Sequence, residues 1–417
     1  GGMDWLIQLA EKLLRKHPNH IIFFAPLCTF FLTFLVGTGH VVYTLMPIIC
    51  DIAIQKRIRP ERPCAVASVA SQVGIIASPI SAAVVAFSAI SASNGFVISN
   101  LEIISITLPA SLCGIFIASL ASYKRGKDLD KDPIFQKRLQ NERFRERLSV
   151  SATVLDKKID LSSKLSVCIF LGAILVIVLF SVFQILGHNI LPTYSSVQAV
   201  KGGIQSIALS GENNVAITSQ ELIKASKVVN GITEFVEKPL GMNIVIQIVM
   251  LTTSALIIVL CKVNPEKAVE GSVWRSGMVA VVAIYGIAWL SDTYFINYLS
   301  VIRNNLEGIV SQYPWSIAIV FFIVSVLINS QGAVVVSILP LAYKLGIPGP
   351  VLVGVLPSVY GYFFIPNYPS DIATVNFDPT GSTKIGKYLL NHSFMMPGLL
   401  SVVVSTIVGY ILAMLRY

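Results

Sequence analysis

Leu35–Pro47 reads LVGTGHVVYTLMP, and it sits in the middle of a long apolar stretch. A helix in oily surroundings has no evident use for Gly37, Thr38, Gly39 and His40 in succession. Two glycines let a chain turn back, and Thr38 and His40 place polar groups at the turn. Irregular backbone at membrane depth is tolerated only where it is buried in protein or lines a watery cavity. The fold therefore depends on whether this is a membrane segment and whether the interruption has a counterpart.

The first condition is met by composition. The chain has 417 residues, 54% of them hydrophobic and only 13% charged, with mean hydropathy +0.74; soluble domains carry about 25% charged residues. Apolar runs recur at 21–36, 40–54, 64–91, 101–121, 165–187, 240–261, 277–290, 315–328, 333–345, 350–376 and 389–415, several of them close to the ~20 residues that cross a bilayer. The expectation is an all-α polytopic membrane protein. The net charge of +9 comes from Lys and Arg in the gaps between apolar runs, where topology signals lie, so nucleic-acid binding is not expected. The six cysteines lie in or beside apolar runs with no C-x-x-C pair, which predicts buried reduced thiols. The N-terminal stretch reads as an amphipathic helix, with Trp5, Leu6, Leu9, Leu13 and Leu14 on one side.

Loop charges orient the runs. QKRIRPERP (55–63) carries four Lys/Arg, and 123–164 carries twelve Lys/Arg against seven Asp/Glu, so both are assigned to the cytoplasm. SASNGFVISN (91–100) is uncharged and is assigned outside, as is the Ser/Asn/Thr-rich segment 188–238. The runs 21–36 and 40–54 are short for full spans, and a re-entrant hairpin fits them. The expected organisation is a lead-in helix (1–20), a first repeat of hairpin, broken helix and span (21–122), a cytoplasmic basic loop (123–164), a span (165–187), a periplasmic loop (188–238), spans and connections (239–312), and a second, inverted repeat (313–417).

The counterpart lies in that last part. FLVGTGHVVYTLMP, from residue 34, parallels VLINSQGAVVVSILP, from residue 326, with Pro47 opposite Pro340. SQVGIIASPISAAVVAF (71–87) parallels YGYFFIPNYPSDIATVNF (360–377), with Pro79 opposite Pro369. Two copies entering from opposite faces form an inverted-topology repeat, the arrangement of secondary transporters with broken helices at the bilayer midplane.

Each break frees N–H groups at a helix start, which suits an anion. The apolar segments hold almost no interior Lys or Arg. An anionic solute would therefore rest on helix starts and on small polar groups: Gly37, Thr38, Gly39, His40, Ser71, Gln72, Ser78, Asn329, Ser330, Gln331, Asn367, Ser370 and Asp371. Isolated serines and threonines such as Ser105 and Thr406 read instead as helix glue, and His392 as a packing or capping histidine. Asp292 and Asp371 are acids near membrane segments; Asp371 adjoins a break and could take a proton or cation. GSTKIGKY (381–388) fits G-x-x-x-x-G-K, but Tyr388 stands where a Ser or Thr should hold magnesium and no strand precedes it. No nucleophile–base set and no metal-ligand spacing is visible, so no enzyme, metal or cofactor is expected.

GGMDWLIQLAEKLLRKHP, GTGHVVYTLMPII, IRPERP, IIASPISAAVV, RGKDLDKD, WRSGMVAVVAIYGIAW, YPWSIAI, NSQGA and YPSDIATVNFDPTGSTKIGK together resemble the anaerobic C4-dicarboxylate transporter (Dcu) family, closest to its DcuB-type branch. The resemblance covers nearly the whole chain except 188–238. It implies a bacterial inner-membrane carrier exchanging fumarate, malate or aspartate for succinate during anaerobic respiration. It also implies an ion-transporter-superfamily fold that moves as an elevator, a lipid-bilayer setting, and polar tips at residues 37–40 and 329–331. Gly332 stands where the family usually has Ala, and Asn367 where it usually has Thr. The family's membrane helices before the G-G-[LM]-D motif are not in this sequence, which reads as a shortened form. A membrane-embedded sensor for the same ligands is the alternative, and a homo-oligomer is compatible with either.

Overall fold

In the computed structural model, residues 2–149, 152–185, 193–199, 233–240, 242–264, 312–388 and 390–417 are described, with isolated positions between 265 and 311. Asp292 and most of the expected span 277–290 lie outside the described residues. Residues 176–248 form one compact unit and the rest of the chain another.

In the larger unit, helix α1 (Gly2–Lys16) leads into α2 (Ile21–Val36), which stops because Gly37 adopts φ 77, a left-handed conformation open to glycine at little cost. A short 3-10 turn over Gly39–Val41 then starts α3 (Val42–Gln55). At 1.5 Å per residue these arms are about 24 Å and about 21 Å long, short of the ~30 Å hydrocarbon core. With the preceding Pro18–His20 turn the first arm becomes a 19-residue apolar helix.

Helix α4 (Glu61–Val73) runs through a 3-10 turn at Gly74–Ala77 and breaks at Ser78–Ser81 before α5 (Ala82–Ser93). Side chains of α6 (Asn100–Ser122) take up carbonyls on the break. Thr107 Oγ1 donates to Ile76 O at 2.9 Å and Asn100 Nδ2 to Pro79 O at 3.1 Å. Ser81 caps α5 through Val84 N. The basic loop carries α7 (Pro133–Leu139) and α8 (Glu142–Ser149), and α9 (Leu161–Ile185) and α10 (Met242–Leu260) contain the two boundaries of the smaller unit.

The C-terminal part also holds a two-helix turn and an interrupted stretch. Helix α11 (Ile317–Leu327) meets α12 (Gln331–Lys344) at the turn 328–330, and Ser330 Oγ accepts from Ala333 N as N-cap. The short α13 (Gly349–Gly354) gives way to irregular chain over 360–368 before α14 (Pro369–Phe377). The last helix, α15 (Met395–Arg416), packs along α6 so closely that Gly114 has no room for a Cβ beside Ser401 and Ser405. Small residues serve such close helix contacts.

Polar contacts gather at both ends of α6. Beyond its C-terminal end, Glu61 accepts from Arg59 Nε at 2.7 Å and Ser393 Oγ at 2.8 Å, with Arg125 3.4 Å away. At its N-terminal end, Arg416 pairs with Glu102 at 3.3 Å and Phe96 packs on Tyr417.

Among the described residues five helices are long and apolar enough to cross a membrane, as expected of a multi-pass protein. Three local expectations need amendment. The smaller unit adds to the helical fold an antiparallel ribbon, β1 (Thr193–Ala199) with β2 (Thr233–Pro239). Helix α1 buries Ile7, Ala10, Glu11 and Leu14 while Leu9 and Leu13 are exposed, because Glu11 accepts from Arg15 and from Val154 N and turns that face inward. Cys113 and Cys168 are exposed rather than buried; both lie on apolar helices, whose outward faces meet hydrocarbon in a bilayer. Gly381–Tyr388 is irregular chain bridged at Ile385 to His392, and Glu61 N donates to Ser382 Oγ; nothing there forms a strand–loop–helix phosphate cradle.

Candidate functional site at the two helix turns

Gln72 lies in the last turn of α4, just before that helix breaks. Three other segments meet on it. Gly39, in the first turn, packs on its side-chain amide so closely that a Cβ would collide with it. Gln331, at the start of α12, donates from Nε2 to the Gln72 carbonyl at 2.8 Å. Tyr362, in the irregular stretch 360–368, donates to Gln72 Oε1 at 2.8 Å and receives a 3.2 Å bond from Gln331 Nε2. Ser71 Oγ accepts from Gln72 Nε2 at 3.2 Å. The amide orientation of Gln331 follows from its partner: a carbonyl accepts only, so the group facing Gln72 O must be the NH₂.

One turn earlier on the same face of α4, Ser68 Oγ donates to Asp371 Oδ1 at 2.8 Å and lies 3.4 Å from Ser370 Oγ. Residues three and four apart on a helix share a face, so Ser68, Ser71 and Gln72 connect the two halves of the set. Asp371 is 1% exposed, and no Lys, Arg or His pairs with it among the described residues. The start of α14 favours negative charge by up to ~2 kcal/mol. Burying an unpaired ion costs several kcal/mol, so this carboxyl needs more than its helix and one serine.

The remaining candidates divide by exposure. Thr38, His40 and Ser330 are half-buried beside the core of the set, and His40 stacks on Tyr43 with ring centroids 5.7 Å apart. Ser78 is buried, and its hydroxyl, Gln331 Oε1 and the Tyr360 hydroxyl are buried polar atoms without a protein partner among the described residues. Gly37 packs on Ile80 of the first break. Asn329 and Asn367 are exposed and join neither the Gln72 nor the Asp371 contacts. His392 caps rather than ligates: Phe394 N donates to its Nδ1 at 3.2 Å, and its Nε2 lies 3.2 Å from Phe364 O.

Sequence reasoning missed Tyr362 and Ser68. Tyr362 sits among aromatics, with Tyr360 at 4.9 Å and Tyr368 at 4.5 Å between centroids, and so reads as apolar filler. The spacing of Ser68 and Gln72, one helical turn, was the available signal.

The set holds amides, hydroxyls, one carboxyl and the free N–H groups of several helix starts. No metal-binding group of three or more His, Cys, Asp or Glu occurs among the described residues. Such a site can bind a polar or anionic solute through hydrogen bonds and release it again.

The family model described as anaerobic C4-dicarboxylate membrane transporter matches residues 1–417. The chain is 42% identical over 417 residues to the anaerobic C4-dicarboxylate transporter DcuB of Escherichia coli O6:H1, covering 99% of this chain and 83% of that protein. It is 33% identical over 413 residues to the C4-dicarboxylate transporter DcuA of Wolinella succinogenes, covering 99% and 84%. To DcuA of Escherichia coli K12 it is 32% identical over 417 residues, covering 99% and 84%. No solved structure matches. With its whole described length matched, the chain belongs to the anaerobic C4-dicarboxylate membrane transporter family.

Proposed function

We propose that this protein carries C4-dicarboxylates across the bacterial inner membrane, exchanging fumarate, malate or aspartate for succinate. The observation that carries the reading is the meeting of Gly39, Gln72, Gln331 and Tyr362, which joins two helix turns and two helix breaks far apart in sequence. The relatives' names, C4-dicarboxylate transporters, supply the solute class.

In this reading α2–α3 and α11–α12 are re-entrant hairpins of an inverted repeat. Support comes from the short arms α3, α11 and α12 and from the partners at the two ends of α6. The loops 55–63 and 378–393 meet at its C-terminal end, whereas Gly349, just after α12, packs on Phe96 near its N-terminal end. The two hairpin tips then approach one ligand from opposite faces. One carboxylate of the solute faces the start of α3, with Thr38 and His40, and the other the start of α12, with Ser330. Several neutral donors bind a dianion more weakly than an arginine clamp, which suits a carrier that must release its load. Movement of both tips with α4 and α14 as one body is the elevator this arrangement allows.

The test is exchange in proteoliposomes. Vesicles loaded with fumarate and containing the full chain are expected to take up labelled succinate, and empty vesicles far less. Absence of exchange with folded protein, together with retained succinate binding, would favour a sensor.

A further inference from the structure

A groove of about 860 Å³ between α7 and α8 takes no part in the site above. Lys137, Arg138 and Arg143 line it over Ile134, Phe144 and Pro379, and none of its lining residues is acidic. Bonds to the ends of the long apolar helices fix its level. Arg62, in the first turn of α4, donates to Arg125 O, Gly126 O and Asp128. Arg59 donates to Asp132, which caps α7. Arg138 Nη1 donates to Thr380 O at 2.8 Å. The groove is thus tied to the place where α4 begins and α6 has just ended, the level of lipid headgroups for spanning helices. Ile134 is 65% exposed beside these cations, which costs little if it meets the acyl boundary and is otherwise unexplained.

We propose that this groove binds the headgroup phosphate of an anionic phospholipid in the leaflet on the basic-loop side. Lys137 and Arg143 face the phosphate. Arg138 uses one of its five donors on Thr380 and keeps others for the lipid. Ile134 and Phe144 contact the glycerol and first acyl carbons. A free anion would match the charges but would gain nothing from this apolar floor. Basic residues beside a membrane helix are attracted to anionic lipid in this way.

The purified full chain, equilibrated in micelles with equal parts phosphatidylcholine and phosphatidylglycerol, is assayed for retained lipid by native mass spectrometry. Wild-type protein should retain phosphatidylglycerol in preference. Lys137→Gln with Arg143→Gln should cut that preference by about thirtyfold, the product of two surface cations' attraction. Lys137→Arg should keep it, and the melting temperature should not move, since both side chains are exposed. Equal retention of the two lipids by wild type, or undiminished preference in the double variant, would overturn the proposal. So would displacement of phosphatidylglycerol by millimolar inorganic phosphate, which would assign the groove to a soluble anion.

Discussion

Gln331 donates its side-chain amide to the main-chain carbonyl of Gln72, 259 residues earlier, at 2.8 Å. Both groups are buried, so the bond ties a helix start in the C-terminal part to a helix end in the N-terminal part. Removing one partner leaves the other unsatisfied, which costs about 1–3 kcal/mol. Gln331→Ala should lower succinate affinity and melting temperature, because it strands the Gln72 carbonyl, which no side-chain substitution at position 72 removes. A double-mutant cycle of Gln331→Ala with Tyr362→Phe, whose polar groups lie 3.2 Å apart, should show a coupling of at least about 0.5 kcal/mol; strict additivity would mean that the two side chains do not act together.

Tyr362→Phe keeps the ring and removes only the hydroxyl shared by the two glutamines. The expected loss is about 1 kcal/mol of stability, with a larger fractional loss of transport than of folded protein. Equal transport by Tyr362→Phe and wild type would remove this residue from the site.

The first turn allows a steric test. Gly39→Ala places a methyl against the Gln72 amide, and Gly37→Ala imposes φ 77 on a residue that pays roughly 1–2 kcal/mol for it. Both should depress transport, but Gly39→Ala combined with Gln72→Ala should recover part of it by restoring space. Lack of recovery would separate Gly39 from Gln72.

Thr38→Ala, Ser330→Ala and Asp371→Asn should each raise the KM for succinate or lower its turnover while leaving membrane levels unchanged. Wild-type kinetics in all three would remove support from a two-tip site.

The polar turns were legible because Gly-Thr-Gly-His and Asn-Ser-Gln have no place in a plain span, and their repetition marked them as a pair. Ser71 and Gln72 share a face of α4 with Ser68, which bonds Asp371 and lies 3.4 Å from Ser370. What could not be read is how far the side chains reach. Asn329 and Asn367 share the composition of the site but are exposed; for Asn329 the reason is that a turn of three residues cannot aim all of them inward. Tyr362 makes its bonds to the two glutamines through one hydroxyl on a ring that hydropathy counts as apolar. Leu9 and Leu13 were read by periodicity as one side of α1 together with Leu14, but only Leu14 is buried, beside the Glu11–Arg15 pair.

His392 predicts a pH effect outside the spanning segments. Burial and, less strongly, the positive Arg125 push its ring below the usual imidazole range, although the Phe364 carbonyl acts the other way. A depressed folded value means that the stability from this loop is present above pH ~6.5 and is lost as pH falls toward the folded value. Protection factors around 384–395, which allow for the intrinsic slowing of amide exchange at lower pH, should therefore fall from pH 7 to pH 5.5 in wild type and not in His392→Gln. An unchanged profile in wild type would show that the ring does not titrate there.

The ionic contacts should differ sharply in weight. Glu61 is buried with Arg59, Arg125 and Ser393 around it; Glu61→Ala removes their shared acceptor, although Arg59 keeps Asp132, at a cost of about 1–3 kcal/mol. The exposed Asp4–Lys157 pair is worth at most ~1 kcal/mol. Denaturation of Glu61→Ala and Asp4→Ala should reproduce that contrast.

Both turns are expected to meet one solute beside Gln72, and a structure determined with succinate bound is the decisive measurement. One carboxylate should lie within hydrogen-bond distance of residues 38–40 and the other within reach of residues 329–331. Succinate bound away from Gln72, or held by only one of the two turns, would contradict it.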